Sequence, residues 1–406
     1  MVDPSINEHG QSFDRLQLFA LAGLMVVGAL FICSATHANP AFASLPWYDQ
    51  MWVRQLIWYT VGMGMGAVMC FVEYHVIARW AVVLYWAMII CLVAVLIHGI
   101  GSTHGWGARR WIDLPGFQFQ PSEFAKLAFI LAMANFLSRP IEELRRPAIF
   151  WKAIGLIMLP FALILKEPDL GSAMVLVPTG LAMMYVGGVP KRYLALLIGT
   201  VGLLGVLFIA DILFAPRALQ FPMKPYQRER LLVYFGRDYT HFASSEATPA
   251  ELQNIHQQQL GDEYNVRQAL ISVGSGGLTG KGWRHGTQNA LGYLPRAVAH
   301  NDFIFSVIAE EEGFVGSVIV LTLYAVVLFA GLRIAGQARD RLGKLVAVGV
   351  VTLIFSHVFI NIGMNIRIMP VTGVPLPLVS YGGSSVLGSL IAAGLMQNVY
   401  IHRKGY

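Results

Sequence analysis

Four short segments hold most of the residues in this chain that are equipped for chemistry. In GARRWIDLPGFQFQPSEFAKLAF, residues 107–129, Arg109 and Arg110 precede Glu123 and Lys126, which stand three apart and so share one helical face. LKEPDLGSAM, 165–174, gathers Lys166, Glu167 and Asp169 into one short turn. AHNDFIFSVIAEEEGF, 299–314, sets Asp302, Ser306 and Glu310 at i, i+4 and i+8, a polar stripe on an otherwise apolar helix. NIRIMPVTGVPLPLVSYGGSS, 365–385, is interrupted by Pro370, Pro375 and Pro377 and by Gly373, Gly382 and Gly383. Cations in such a setting suit an anionic group such as a lipid-linked pyrophosphate, and a carboxylate suits removal of a proton from a hydroxyl. Together they make a constellation for glycosyl transfer from a lipid-pyrophosphate donor. Each segment also has a plainer reading. Glu123 and Lys126 fit a local ion pair at a helix start, the 166–169 group a hairpin cap, and Asp302 a helix N-cap.

The rest of the chain has to hold these groups, and it is greasy. Only 13% of its 406 residues are charged and 56% are hydrophobic, with mean hydropathy +0.58. A soluble domain averages about 25% charged residues. Apolar runs of about 20 residues cross a ~30 Å hydrocarbon layer as helices. Ten are present, near 16–35, 55–72, 76–98, 121–138, 148–165, 170–189, 193–214, 303–332, 345–366 and 382–401. The expected fold is therefore an all-α polytopic integral membrane protein of about ten transmembrane helices. A tail spans 1–15, helices one to seven 16–214, a large extracytoplasmic loop 215–301, helices eight to ten 302–402, and a second tail 403–406. Pro160 and Pro178 fall inside spans five and six.

With the N-terminus in the cytoplasm, fourteen Lys and Arg fall on short inner segments and six on short outer ones. The positive-inside rule then places both termini in the cytoplasm, and the net charge of +6 reflects orientation rather than nucleic-acid binding. All four chemical segments converge on the outer side. A carboxylate facing lipid at membrane depth costs ~2.5–3.5 kcal/mol, so Asp302 is expected to face a cavity. Irregular backbone such as 365–385 is tolerated at that depth only where it lines a cavity or is buried in protein.

Other features point away from alternative chemistries. GSGGLTGKGW, 274–283, lacks the spacing of a phosphate-binding loop, because Ser275 and Gly282 stand where Gly and Ser or Thr are needed. Its glycines read as a tight re-entrant turn near the membrane or a ligand. Cys33, Cys70 and Cys91 lie in spans and suggest neither disulfides nor a metal site. Within the large loop, YQRERLLVYF (226–235) reads as an amphipathic interfacial helix with Arg228 and Arg230 towards headgroups, and 237–263 as polar loop.

GARRWI, FQPSEFAK, KEPDLGSA, YQRERLL, SVGSGGLTGKGW with HGTQ, DFIFSVIAEEEGF and PVTGVPLPLVSYGGSS occur in this order over roughly 107–385. They resemble the SEDS family of shape, elongation, division and sporulation proteins. The PVTGVPLPLVSYGGSS segment and the basic tail HRKGY are more similar to its rod-shape branch than to its division branch. The resemblance implies a peptidoglycan glycosyltransferase of the bacterial inner membrane. Such an enzyme polymerises lipid II on the outer face with undecaprenyl pyrophosphate as leaving group. It implies that Asp302 is the general base that takes the proton from the acceptor's 4-hydroxyl, in a single inverting displacement. Arg110, Glu123, Lys126, Asp169 and Ser380 map onto substrate-binding positions. Arg110 and Lys126 would stabilise the pyrophosphate, and Glu123 would position Lys126. Glu310–Glu312 are expected to orient their helix against positive or hydroxyl groups.

The resemblance also implies a class B penicillin-binding protein transpeptidase as partner. It implies a divalent cation, Mg or Mn, at a location the sequence does not mark. The chain departs from the family at LPRAVAHND, where an acidic residue and HTD are usual and Arg296, His300 and Asn301 stand instead, and in a longer loop around 237–263. Two rival functions are a lipid II flippase and a non-catalytic scaffold for a transpeptidase. Charges gathered at one face rather than at the midplane favour an enzyme over a transporter.

Overall fold

Long apolar segments with few charges form helices because the backbone must satisfy its own hydrogen bonds where water is absent. A computed structural model describes residues 13–37, 42, 44–97, 101–102, 109–214, 264–294 and 298–403. Its helices, in chain order, are α1 (Arg15–His37), α2 (Met51–Phe71), α3 (Tyr74–Arg79), α4 (Ala81–Leu96), α5 (Pro121–Leu137), α6 (Ile141–Leu144), α7 (Pro147–Lys166), α8 (Leu170–Gly187) and α9 (Lys191–Phe214). They continue with α10 (264–275), α11 (Thr287–Ala290), α12 (Ile304–Gln337), α13 (Arg341–Asn365) and α14 (Gly383–Ile401). Each of the ten expected spans contains a long helix. Among the described residues, seven helices are long and apolar enough to cross a membrane: α1, α7, α8, α9, α12, α13 and α14. The other three are α2, with 21 residues, α4, with 16, and α5, with 17 including Glu123 and Lys126. Pro160 and Pro178 do lie inside α7 and α8.

The centre of the bundle is α13 and α14, whose most apolar windows are 72% and 83% buried. Small residues let backbones meet there: a Cβ on Gly394 of α14 would stand 2.5 Å from the Gly66 carbonyl of α2. At one end, a small antiparallel sheet of β1 (Gly101–Ser102), β2 (Trp111–Leu114) and β3 (Phe117–Phe119) caps the bundle, with Ile112 opposite Phe119. Pro115 and Gly116 (φ 74°) turn β2 into β3, the residue pair a type II turn favours.

Two expected helices are interrupted. The 76–98 span divides at Trp80 into α3 and α4. The continuous rod expected from Asp302 through Glu312 into the membrane breaks at Gly313, whose φ of 65° and ψ of −156° are not helical. The freed backbone groups are taken up by the glycine-rich turn. The Glu310 and Glu311 carbonyls accept from Lys281 and Gly282 N–H at 3.1 and 2.8 Å, while Phe314 and Val315 donate to Gly277 and Leu278 at 2.8 and 3.0 Å. Contact is close enough that a Cβ on Gly280 would stand 2.1 Å from the Glu311 carbonyl oxygen. Gly276 and Gly280 are thus required for backbone packing against a broken helix. The 226–235 and 237–263 segments lie outside the described residues.

Candidate active site

At the sheet end of the bundle, Asp302, Arg110 and Asp169 line one cavity of about 810 Å³ together with Arg54, Trp58, Trp111, Asp113, Tyr381, Ser384 and Ser385. Asp302 sits in the turn before α12 and is not its N-cap; that position belongs to Phe303, which makes no side-chain cap. Every carbonyl of this turn from 300 to 302 is held. Tyr381 N–H donates to His300 O at 3.0 Å and Ser380 Oγ to Asn301 O at 2.6 Å. The side-chain amides of Asn361 and Asn365 both donate to Asp302 O, at 3.1 and 3.0 Å. The backbone that bears the Asp302 carboxylate cannot shift without breaking several buried hydrogen bonds. Gly373 (φ 71°) lies beside the carboxylate, where a Cβ would stand in ordinary contact, 3.5 Å from Asp302 Oδ2.

The irregular segment 370–382 supplies two of these bonds, through Ser380 and Tyr381, and is itself held by four side chains from three helices. Gln55 of α2 donates to Ser380 O at 3.1 Å, Tyr59 hydroxyl to Leu378 O, and Tyr324 hydroxyl of α12 to Pro377 O at 2.6 Å. Asn361 of α13 donates to Val374 O at 2.7 Å. Backbone that cannot pair with itself is thereby satisfied inside protein, as membrane depth requires. Ser384, opening α14, donates to Gln118 O at 2.8 Å and accepts from Gln120 N–H at 3.0 Å, which fixes the sheet against the same wall.

Opposite Asp302, the 166–169 turn carries Asp169 and holds Arg110. Asp169 Oδ1 accepts from Ser172 N–H at 3.1 Å and so caps α8, and Gln120 reaches its Oδ2 at 3.3 Å. It is both the hairpin cap and a cavity residue. Arg110 donates from Nε to Glu167 O at 3.2 Å and from Nη2 to Pro168 O, so two carbonyls aim its guanidinium. The Glu167 carboxyl is 1% exposed, and neither oxygen has a hydrogen-bond partner. Burial first, and the neighbouring Asp169 charge second, push it up to about 9 against the pull of Arg110. His300, buried between the rings of Phe42 and Tyr381, is lowered to about 4 by burial.

Three sequence expectations change here. Glu123 and Lys126 do share a helical face, but they do not line the Asp302 cavity. Lys126 is 1% exposed, its Nζ 2.6 Å from Glu123 Oε1 and 2.9 Å from His357 Nε2. The pocket beside them has about 20 Å³, room for roughly one water. With Nδ1–H of His357 facing Pro375 O at 3.3 Å, its Nε2 is free to accept from the ammonium. Ser380 does not line the cavity either: its hydroxyl donates to Asn301 O and accepts from Leu376 N–H at 2.8 Å. The Asp302–Ser306–Glu310 stripe does not face one space: Asp302 lies in the turn before α12 and lines the cavity, whereas Ser306 and Glu310 are buried on α12 against other partners. Ser306 donates to Asn365 at 2.5 Å, and Glu310 pairs with Lys281 at 2.6 Å and accepts from Gln288 N–H at 2.9 Å. Glu311 accepts from Ser34 at 2.6 Å, so these two glutamates anchor α12 to cations and hydroxyls.

Sequence reading missed Arg54, Gln55, Trp58 and Tyr381, and above all His357, Asn361 and Asn365. The last three recur at i, i+4 and i+8 within an apolar span, the same signal that singled out Asp302. For the expected divalent cation, no three His, Cys, Asp or Glu side chains cluster among the described residues. Asp113, Asp169 and Asp302 line the cavity without forming such a cluster. Among the described residues, a protein-only ligand cage does not fit.

The cell cycle protein family model that covers FtsW, RodA and SpoVE matches residues 14–405. This chain belongs to that family. Among its relatives, peptidoglycan glycosyltransferase MrdB of Escherichia coli K12 is 37% identical over 393 residues, 96% of this chain and 94% of MrdB. Peptidoglycan glycosyltransferase RodA of Treponema pallidum is 31% identical over 95% of this chain and 97% of its own. Stage V sporulation protein E of Bacillus subtilis is 35% identical over 95% and 96%. Among solved structures, RodA of Thermus thermophilus superposes with a TM-score of 0.65 at 27% identity, covering 97% of this chain and 99% of that one. A chain of a peptidoglycan synthase complex, solved for its coordination of polymerization and crosslinking, reaches 0.72 at 28% identity over 97% and 98%. Family membership and the apolar helices together make this a multi-pass membrane protein of the fold expected from its motifs.

Proposed function

We propose that this chain is a peptidoglycan glycosyltransferase that polymerises lipid II during cell elongation, with Asp302 as its general base. The observation that carries the reading is the shared cavity, in which a carboxylate on a clamped turn and a carbonyl-aimed guanidinium, Arg110, open on one space. The names of the full-length relatives MrdB and RodA support the activity and the rod-shape role.

In the proposed step, Asp302 accepts the proton of the acceptor's 4-hydroxyl as that oxygen attacks the donor's anomeric carbon. The carbon–oxygen bond to pyrophosphate breaks, and undecaprenyl pyrophosphate leaves with the electron pair. An α-linked donor thus gives a β-linked product in one displacement. Arg110, with Arg54 on the α2 wall, faces the charge that develops on the leaving group. The clamp fixes the backbone from which the Asp302 carboxylate projects, and reacting groups carried on a fixed frame lower the barrier through orientation. Lys126 acts from the second pocket by packing rather than by contact with the donor.

The cavity end of the bundle is the extracytoplasmic face, with both termini cytoplasmic. Short segments at the opposite end carry Arg79, Arg139, Arg145, Arg146, Lys191, Arg192, Arg339 and Arg341, the bias the positive-inside rule expects. A class B penicillin-binding protein transpeptidase is the partner, in keeping with the synthase complex that one solved relative belongs to. The test is glycan polymerisation from purified lipid II by the full-length protein, alone and with its transpeptidase, for wild type and Asp302→Asn. A folded, partner-binding Asp302→Asn that makes no polymer supports the reading, and full activity in that variant overturns it. Absence of polymer from wild type with its partner returns the flippase and scaffold readings.

A further inference from the structure

The opposite end of the bundle carries a groove of about 430 Å³ formed by the C-terminus of α6 and the turn from α8 to α9. Three of its lining residues, Arg145, Lys191 and Arg192, are basic and none is acidic. Two of the cations are seated on rings: Lys191 Nζ lies 5.5 Å from the Tyr185 ring centre and the Arg192 guanidinium 5.0 Å from that of Tyr193. The adjacent Glu143 carboxylate reaches away to Arg139, at 3.8 Å. Three like charges therefore gather around one concavity with no lining carboxylate, an arrangement that favours an anion.

What lies beside the groove identifies the kind of anion. Helix α9 begins in it at Lys191 and then runs along the bundle with only 6% of its apolar window buried. Leu196, Ile198, Val201, Leu203, Leu204 and Val206 are all more than half exposed. Tyr185 and Tyr193 line the groove where α9 begins, and aromatic residues favour the border between hydrocarbon and headgroup. A soluble phosphate would use the basic rim alone. A diacyl phospholipid would use both parts, with its headgroup phosphate between the cations and its chains on the bare side of α9.

We infer that the α6/α8–α9 groove, with Arg145, Lys191 and Arg192, is a binding site for an anionic phospholipid. It lies at the far end of the bundle from the Asp302 cavity. It stands on charge and shape at this end, independently of the reaction proposed above. Basic pockets between membrane helices are established recognisers of anionic headgroups as a class.

The test uses the full-length protein in detergent micelles, with native mass spectrometry counting retained phosphatidylglycerol against phosphatidylcholine. Wild type should keep phosphatidylglycerol preferentially. Arg145→Gln/Lys191→Gln/Arg192→Gln should lower its retention on the order of a hundredfold, about fivefold per charge removed. Lys344→Gln, an exposed cation at the same end outside the groove, should leave retention unchanged. Should the triple variant fail to fold, Lys191→Gln alone decides, with about fivefold loss expected. Undiminished retention in the folded variants overturns the assignment. Displacement of phosphatidylglycerol by millimolar inorganic phosphate overturns it too, because the site would then be one for a free anion.

Discussion

Asn361 donates its single side-chain amide group to two carbonyls at once, Asp302 O at 3.1 Å and Val374 O at 2.7 Å. It thereby ties the turn that bears the proposed base to the irregular segment forming the cavity wall. Asn365, one helical turn further on, donates to Asp302 O as well. Replacing Asn361 by Ala removes both bonds and should cost about 1–3 kcal/mol, chiefly for the buried Val374 carbonyl, since Asn365 still donates to Asp302 O. The larger consequence falls on the reaction, since a displacement near 1 Å at a reacting group costs on the order of 10²-fold. Polymerisation by Asn361→Ala should show kcat lowered about 10- to 100-fold with KM for lipid II nearly unchanged. A rise in KM at constant kcat would mean that Asn361 meets substrate rather than Asp302.

The buried pair Glu123 and Lys126 makes an opposite kind of prediction, one about stability. Lys126→Met strands the Glu123 carboxylate in the bundle and should destabilise the protein by about 3–5 kcal/mol. Glu123→Leu/Lys126→Met removes both charges and should regain most of that loss in thermal unfolding. A double variant less stable than the single one would contradict the packing role.

Two groups outside the spans set opposite pH limbs. Glu167 holds its proton up to about 9, so the native state binds more protons than the unfolded chain between the ordinary carboxylate range and that value. Its contribution to stability is complete below about pH 4.5 and falls as pH rises towards 9. His300 is the reverse. Its folded value of about 4 means that its contribution is complete above about pH 6.5 and falls as pH drops towards 4. Melting temperatures from pH 4 to 9 should therefore lose much of their alkaline decline in Glu167→Gln and of their acid decline in His300→Gln. Unchanged profiles in both variants would show that other groups control these limbs.

Gly313 breaks α12 in a conformation reserved for glycine, and a Cβ there would stand 2.3 Å from Gly280 N. Gly313→Ala should cost about 1–3 kcal/mol for the backbone conformation alone, with the steric overlap adding to it. It should also loosen the glycine-rich turn, seen as faster amide exchange over 276–282. Exchange equal to wild type would show that the turn holds without the break.

Apolar runs of membrane length admit few structures other than helices, so the class of fold was legible from composition and run length alone. The sequence also marked three charged groups of the cavity, since a carboxylate or guanidinium near a membrane span is too costly to persist without a partner or a purpose. Asp302, Arg110 and Asp169 were legible on that ground. Depth and direction were not. Glu123 and Lys126 satisfy the same one-dimensional pattern as cavity residues, and only the approach of His357 from α13 turns them into a sealed pair. Ser380 maps onto a substrate-binding position by resemblance, but in the fold its hydroxyl donates to one backbone carbonyl and accepts from one backbone N–H. The break at Gly313 was hidden because its stability comes from four hydrogen bonds to a turn more than 30 residues away in sequence. Helical periodicity records which residues share a face, while what that face meets is decided by contacts between segments distant in the chain.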